Sequence, residues 1–139
     1  MKIKPYERNA KYYETDQMGI IHHSNYIRWF EEARVDAMEQ ASIPYDKMEE
    51  MGIMSPVLGV ECKYIHSVHF NENVKIEVRF LSFTGVKMEI EYKVYSMATG
   101  ELTTTGLSRH GFVHSDTGRP VRMKKEYPDL YAKIMDALE

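Results

Sequence analysis

Between Glu14 and Tyr26 the chain reads Glu-Thr-Asp-Gln-Met-Gly-Ile-Ile-His-His-Ser-Asn-Tyr, which sets the Asp16 carboxylate, a turn glycine and two adjacent histidines just ahead of a helical pattern. Backbone N–H groups at a helix start can hold the negative oxygen that develops on an attacked carbonyl, and a nearby carboxylate such as Asp16 can attack that carbonyl or deprotonate a water. These parts suit acyl transfer. A thioester is the least demanding substrate for them, because a thiol with a pKa of ~8.5 leaves as thiolate with little help from an acid. A metal held by Asp16, His22 and His23 is the competing use. It is not expected, since neighbouring histidines in an extended loop point apart and no further ligand stands out.

The elements that must position this loop follow from periodicity. Apolar residues at helical spacing from Tyr26 through Trp29, Phe30, Ala33 and Ala37 to Ala41 predict one long helix over about residues 25 to 41, with Ser24 or Asn25 as its N-cap. Ile27, Val35 and Met38 widen the apolar face, leaving Arg28, Glu32, Asp36 and Glu39 as the polar strip. A helix apolar over so much of its circumference needs protein on several sides. A curved antiparallel sheet wrapped around it would supply that, and period-2 alternation predicts the strands. Val74, Ile76, Val78 and Phe80 alternate with charged residues, as do Val86, Met88, Ile90, Tyr92 and Val94, with Thr84-Gly85 as the turn between them. Further strands are expected over residues 3 to 13, 57 to 66 and 102 to 114, and a C-terminal helix over 124 to 138. The fold class is therefore α+β, and residues 1–139 are expected to form a single domain, with neither repeat nor linker to divide them.

The run Asp16-x-x-Gly19-Ile20-Ile21-x-His23-x-x-Tyr26, continued by Trp29-Phe30-Glu31-x-Ala33-Arg34, resembles the signature of the hot-dog acyl-CoA thioesterases of the 4-hydroxybenzoyl-CoA thioesterase type. The resemblance extends to the element order. It implies that Asp16 acts as nucleophile or general base, that the backbone N–H at His23 polarises the thioester carbonyl while its side chain lines the pocket, and that Gly19 allows a tight turn close to substrate. His22, Ser24 and Tyr26 are implied around the substrate and its oxyanion. His22 and Met18 depart from the residues more usual in the family, which bears on acyl preference. Glu31 is a rival carboxylate, because a related hot-dog branch uses a helix glutamate; its competing reading is an ion pair with Arg34, three residues on, or with a group across the dimer. The resemblance further implies a homodimer or homotetramer with pockets between subunits, and no cofactor beyond the coenzyme A of the substrate.

Coenzyme A phosphates need cations. The densest basic stretch, Gly118 to Lys125, offers Arg119, Arg122 and Lys125, with Arg79 and Arg109 as weaker candidates. A net charge of −3 gives no overall attraction to nucleic acid or an acidic membrane surface. No stretch approaches the ~18 apolar residues of a membrane span, and the N-terminal segment does not read as a signal peptide. The lone Cys62, expected as a buried strand thiol, suits a reducing compartment, and a cytoplasmic location is expected. Two further readings of the same fold are an acyl-carrier-protein thioesterase, docking an acidic partner on a basic rim, and a non-catalytic acyl-CoA binding module.

Overall fold

The computed structural model describes residues 1–138. Five strands, β1 (Tyr6–Asn9), β3 (Val57–Tyr64), β4 (Asn73–Phe83), β5 (Lys87–Ser96) and β6 (Leu102–Gly111), form an antiparallel sheet in the order β1-β4-β5-β6-β3. Its inner face is the one that alternation marks: Val74, Ile76, Val78 and Phe80 of β4 and Met88, Ile90, Tyr92 and Val94 of β5 are buried. Against it lies α1 (Ser24–Gln40), which buries Tyr26, Trp29, Phe30, Ala33, Ala37 and Met38. This is the α+β hot-dog arrangement. Phe30 stacks on Tyr92 of β5 at 4.5 Å between centroids. Gly106 of β6 makes that stack fit, because a Cβ there would collide with the Phe30 ring.

Several expected boundaries move, each for a local reason. The first strand ends at Asn9, because the Glu14 carboxylate accepts the Lys11 N–H and draws Tyr12–Glu14 into a 3-10 turn. The strand expected to reach His114 stops at Gly111, and Val113–His114 (β7) turns away to pair with Ile53–Met54 (β2), an element the sequence did not suggest. Also unforeseen is the short α2 (Tyr45–Glu50) that follows Pro44. The C-terminal helix is broken into α3 (Met123–Glu126) and α4 (Pro128–Ala137), since Pro128 has no N–H and pushes Tyr127 to φ −138°, ψ 66°. Cys62 is half-buried on β3 rather than fully buried.

The helix is covered less completely than its composition suggests. Ile27 is 47% exposed, and Glu31 beside it is exposed too. The expected Glu31–Arg34 pair is absent. Arg34 turns inward and donates to the hydroxyls of Tyr45 (2.9 Å) and Tyr92 (3.1 Å), because burial on that face offers hydroxyls where solvent lies on the other. Tyr92 continues through Ser108 Oγ (2.6 Å) to His110 Nε2 (2.7 Å), a buried polar chain across β5 and β6. No helix among the described residues is long and apolar enough to cross a membrane.

Candidate active site

Residues 14 to 22 form a small hairpin rather than an open loop. Asp16 N–H donates to Ile20 O (2.8 Å), His22 N–H donates to Glu14 O (2.8 Å), and Thr15 bridges Ile21. The tip is a turn closed by Gly19 N–H on Asp16 O at 3.0 Å, with Gly19 at φ +79°, a conformation that only glycine adopts at no steric cost. A side chain on Gly19 would meet nothing within 4 Å, so the constraint is its backbone conformation rather than crowding. The hairpin leaves Asp16 at the mouth of a hollow of about 240 Å³. His23, Ile20, Ile21 and Tyr26 line it from the loop and helix side, and Tyr64, Ile65, His66 and Ser67 from the end of β3.

The start of α1 departs from the expected cap. His23 occupies the N-cap position in helical conformation and Ser24 is already the first helical residue, so neither Ser24 nor Asn25 caps the helix. The Ser24 hydroxyl instead meets His22 Nδ1 at 2.8 Å, and Asn25 Nδ2 donates to Glu14 O at 2.8 Å. The remaining donors sort themselves clearly. His22 N–H goes to Glu14 O, Ser24 N–H to His22 Nδ1 (3.2 Å), Asn25 N–H to His22 O and Tyr26 N–H to His23 O. The His23 N–H alone in this run has no acceptor among the described residues. An unpaired donor at a helix N-terminus, on a residue that lines the same hollow as a carboxylate, is what a developing oxyanion requires.

Other expected residues fall in different places. Tyr26 is buried on the inner wall, its hydroxyl pushed up to about 12 by burial. His22 stacks on His23 at 4.2 Å and sits beside the hollow rather than in its lining. Glu31 lines a separate depression on the outer face of α1 with Arg28, Val35 and Asp36. The basic residues Arg119, Arg122 and Lys125 are exposed, but within one chain they are remote from Asp16. The hollow sits where Tyr64 pairs with Thr104, whereas the basic segment follows Gly111 at the other end of β6. Seven residues of strand at ~3.3 Å each put roughly 23 Å between those ends. Arg109 is engaged by Glu61 on the outer face at 2.8 Å. Tyr64, His66 and Ser67 line the hollow although the sequence did not mark them. Their signal was a cluster of Tyr, His and Ser at the end of a predicted strand. Among the described residues no group of three or more His, Cys, Asp or Glu side chains could hold a metal ion.

Comparison with known proteins identifies the family. The chain is 32% identical over 131 residues to the Bacillus subtilis (strain 168) protein named "Putative acyl-CoA thioesterase YneP", covering 94% of each. Its fold superposes on a DHNA-CoA thioesterase from Staphylococcus aureus with a TM-score of 0.89 at 34% identity, over 98% of this chain and 93% of the other. A hypothetical protein from Thermus thermophilus follows with a TM-score of 0.83 at 30% identity, over 94% and 98%. The Thioesterase-like superfamily matches residues 11–134. With that match spanning the hairpin, the central helix and every strand of the sheet except β1, the chain belongs to the thioesterase-like superfamily and is a hydrolase of thioester bonds.

Proposed function

We propose that this protein hydrolyses an acyl-CoA to the free acid and coenzyme A, with Asp16 as the reacting carboxylate and the His23 N–H as the oxyanion donor. The carrying observation is that His23, whose N–H has no acceptor among the described residues, lines the same hollow as Asp16. The carbonyl oxygen takes the His23 N–H, and the carbonyl carbon is attacked either by Asp16 itself or by a water whose proton Asp16 accepts. The C–S bond then breaks and coenzyme A leaves as thiolate; where Asp16 itself attacked, a water then hydrolyses the acyl anhydride on Asp16, releasing the acid and restoring the carboxylate. The names of the Bacillus and Staphylococcus relatives support a CoA ester as substrate. Tyr26 and Tyr64, with ring centroids 5.3 Å apart and planes tilted by 60°, give the hollow two aromatic side chains against which an aromatic acyl group can pack, in keeping with the DHNA-CoA named for the Staphylococcus protein. No cofactor is invoked, and a cytoplasmic location suits a CoA ester.

The catalytic unit in this reading is a dimer of one-domain chains, joined through β3. That strand is one of the two edges of the sheet, and Val57, Leu58 and Tyr64 along it are each about half exposed, a surface that invites pairing. A two-fold axis near its middle sets the partner's β3 antiparallel, so that the partner's Val57 end meets Tyr64. The partner's basic segment, which follows the strand end paired to Val57, then approaches the hollow. Arg119, Arg122 and Lys125 thus serve the coenzyme phosphates in trans. Thiol release from aromatic, short and long acyl-CoAs, and from the same acyl groups on carrier protein, tests the proposal. Turnover of CoA esters supports it, and turnover of carrier-bound esters alone refutes it.

A further inference from the structure

The most heavily bonded residue near the hollow is not one of its lining residues. Glu14 lies two positions before Asp16, at the base of the hairpin, and is 4% exposed. Its carboxylate accepts three hydrogen bonds, from Arg8 Nη1 (2.7 Å), Trp29 Nε1 (2.8 Å) and Lys11 N–H (2.9 Å). Its carbonyl oxygen accepts two more, from His22 N–H (2.8 Å) and Asn25 Nδ2 (2.8 Å). The donors come from β1, the 3-10 turn, the second arm of the hairpin and two turns of α1. Arg8 extends the assembly, reaching Glu32 of α1 at 2.9 Å while its guanidinium lies 4.8 Å over the Trp29 ring. Burial alone would raise the Glu14 carboxyl, but the bonds from Arg8, Trp29 and Lys11 outweigh it and hold it below its ordinary range, so the group stays an acceptor.

A buried carboxylate with this many partners is costly to assemble, and nothing about the sheet core requires it. Its geometric effect is specific. The same residue whose carbonyl fixes His22, next to the His23 N–H that has no acceptor among the described residues, is separated by one residue from Asp16. The distance between carboxylate and oxyanion donor is therefore set by a single clamped backbone unit. From this we infer that Glu14 is a positioning residue, a strut that holds Asp16 in register with the start of α1. The inference rests on Asp16 being the reacting carboxylate. It extends to Asn25, whose side chain ties the helix to the same carbonyl.

Glu14→Gln removes the charge, faces Arg8 with an amide donor and leaves too few lone pairs for three donors. Asn25→Ala removes one bond at a half-buried site and spares the ion pair. Both are to be measured beside the wild type and Asp16→Asn, as kcat and KM per folded protein well below the melting temperature. Amide exchange of Asp16, Met18 and His22 is followed by NMR in the same samples. A strut predicts kcat down by ~10- to 100-fold with KM within about twofold, the cost of a reacting group displaced by about an ångström, together with faster exchange of those amides. Wild-type kcat and exchange in either folded variant overturn the inference, as does a loss of activity that tracks only the folded fraction. Should Glu14→Gln fail to fold, Asn25→Ala decides. A wild type silent on every thioester refutes the proposed reaction alone, and the exchange data still decide the strut.

Discussion

The backbone N–H of Met18 donates to Oδ1 of Asp16 at 2.8 Å, which orients the carboxylate and leaves Oδ2 without a hydrogen bond among the described residues. The contact exists because Gly19 closes the turn at φ +79°. Gly19→Ala should cost ~1–2 kcal/mol, the usual strain of a left-handed alanine. It should also lower kcat toward the ~100-fold expected of a displaced carboxylate, with little change in KM. Urea unfolding and steady-state kinetics on the purified variant check both effects, and unchanged values for both would show that the turn does not set the carboxylate.

Acid should destabilise the protein through His110 before it reaches the carboxylates. The ring is buried, Nε2 faces Ser108, and Nδ1 has no partner among the described residues. Burial, and then the charge of Arg34, push its pKa from the ordinary 6.5 down to about 4. The unfolded chain therefore binds a proton that the folded one refuses. Stability contributed by neutral His110 is complete above pH 6.5 and is lost as pH falls toward 4. Glu14, held low in the folded state, adds its own loss only below about 4.5. The urea midpoint should decline from pH 6.5 to 4.5, and His110→Gln should flatten that decline; an equal slope in the variant would exclude His110 as its source.

Gly106→Ala tests the packing between helix and sheet. The added methyl would displace Phe30 from its stack on Tyr92, an overpacking that costs typically ~1–3 kcal/mol. Chemical denaturation should report that loss. A neutral result would mean that the Phe30 ring shifts freely and that the stack is not a constraint.

If the coenzyme phosphates are held by the partner's basic segment, Arg119→Glu with Arg122→Glu should raise KM for a CoA ester by ~10- to 100-fold, the scale of lost charge-assisted bonds. The KM for the matching N-acetylcysteamine thioester, which has no phosphates, should not move. Leu58→Lys with Val60→Lys on the exposed edge of β3 should yield monomers by light scattering and should raise the CoA-ester KM in the same way. Intact dimers with normal kinetics would remove β3 from the assembly.

The parts of this architecture that were legible in the sequence are those where one residue decides locally. Alternation along β4 and β5, the apolar spacing of α1, and the Asp16 and Gly19 motif needed no tertiary information. Legibility failed where distant segments choose. Whether Arg34 meets Glu31 or Tyr92 depends on which side of α1 the sheet covers. Tyr64, His66 and Ser67 become site residues only because β3 ends beside the hairpin. Ser24 reads as a cap by type, yet His22 Nδ1 competes for its hydroxyl. Glu14 looks like an ordinary loop acid until Arg8, Trp29 and Asn25 converge on it.

The proposed reaction depends on Asp16, and thiol release from an aromatic acyl-CoA by the wild type and by Asp16→Asn tests that role most directly. The isosteric change should leave the melting temperature and the fold intact and lower kcat by at least ~100-fold, the scale of a lost base or nucleophile. An Asp16→Asn protein that turns over the ester at the wild-type rate would contradict the account and move the chemistry to another group in the hollow.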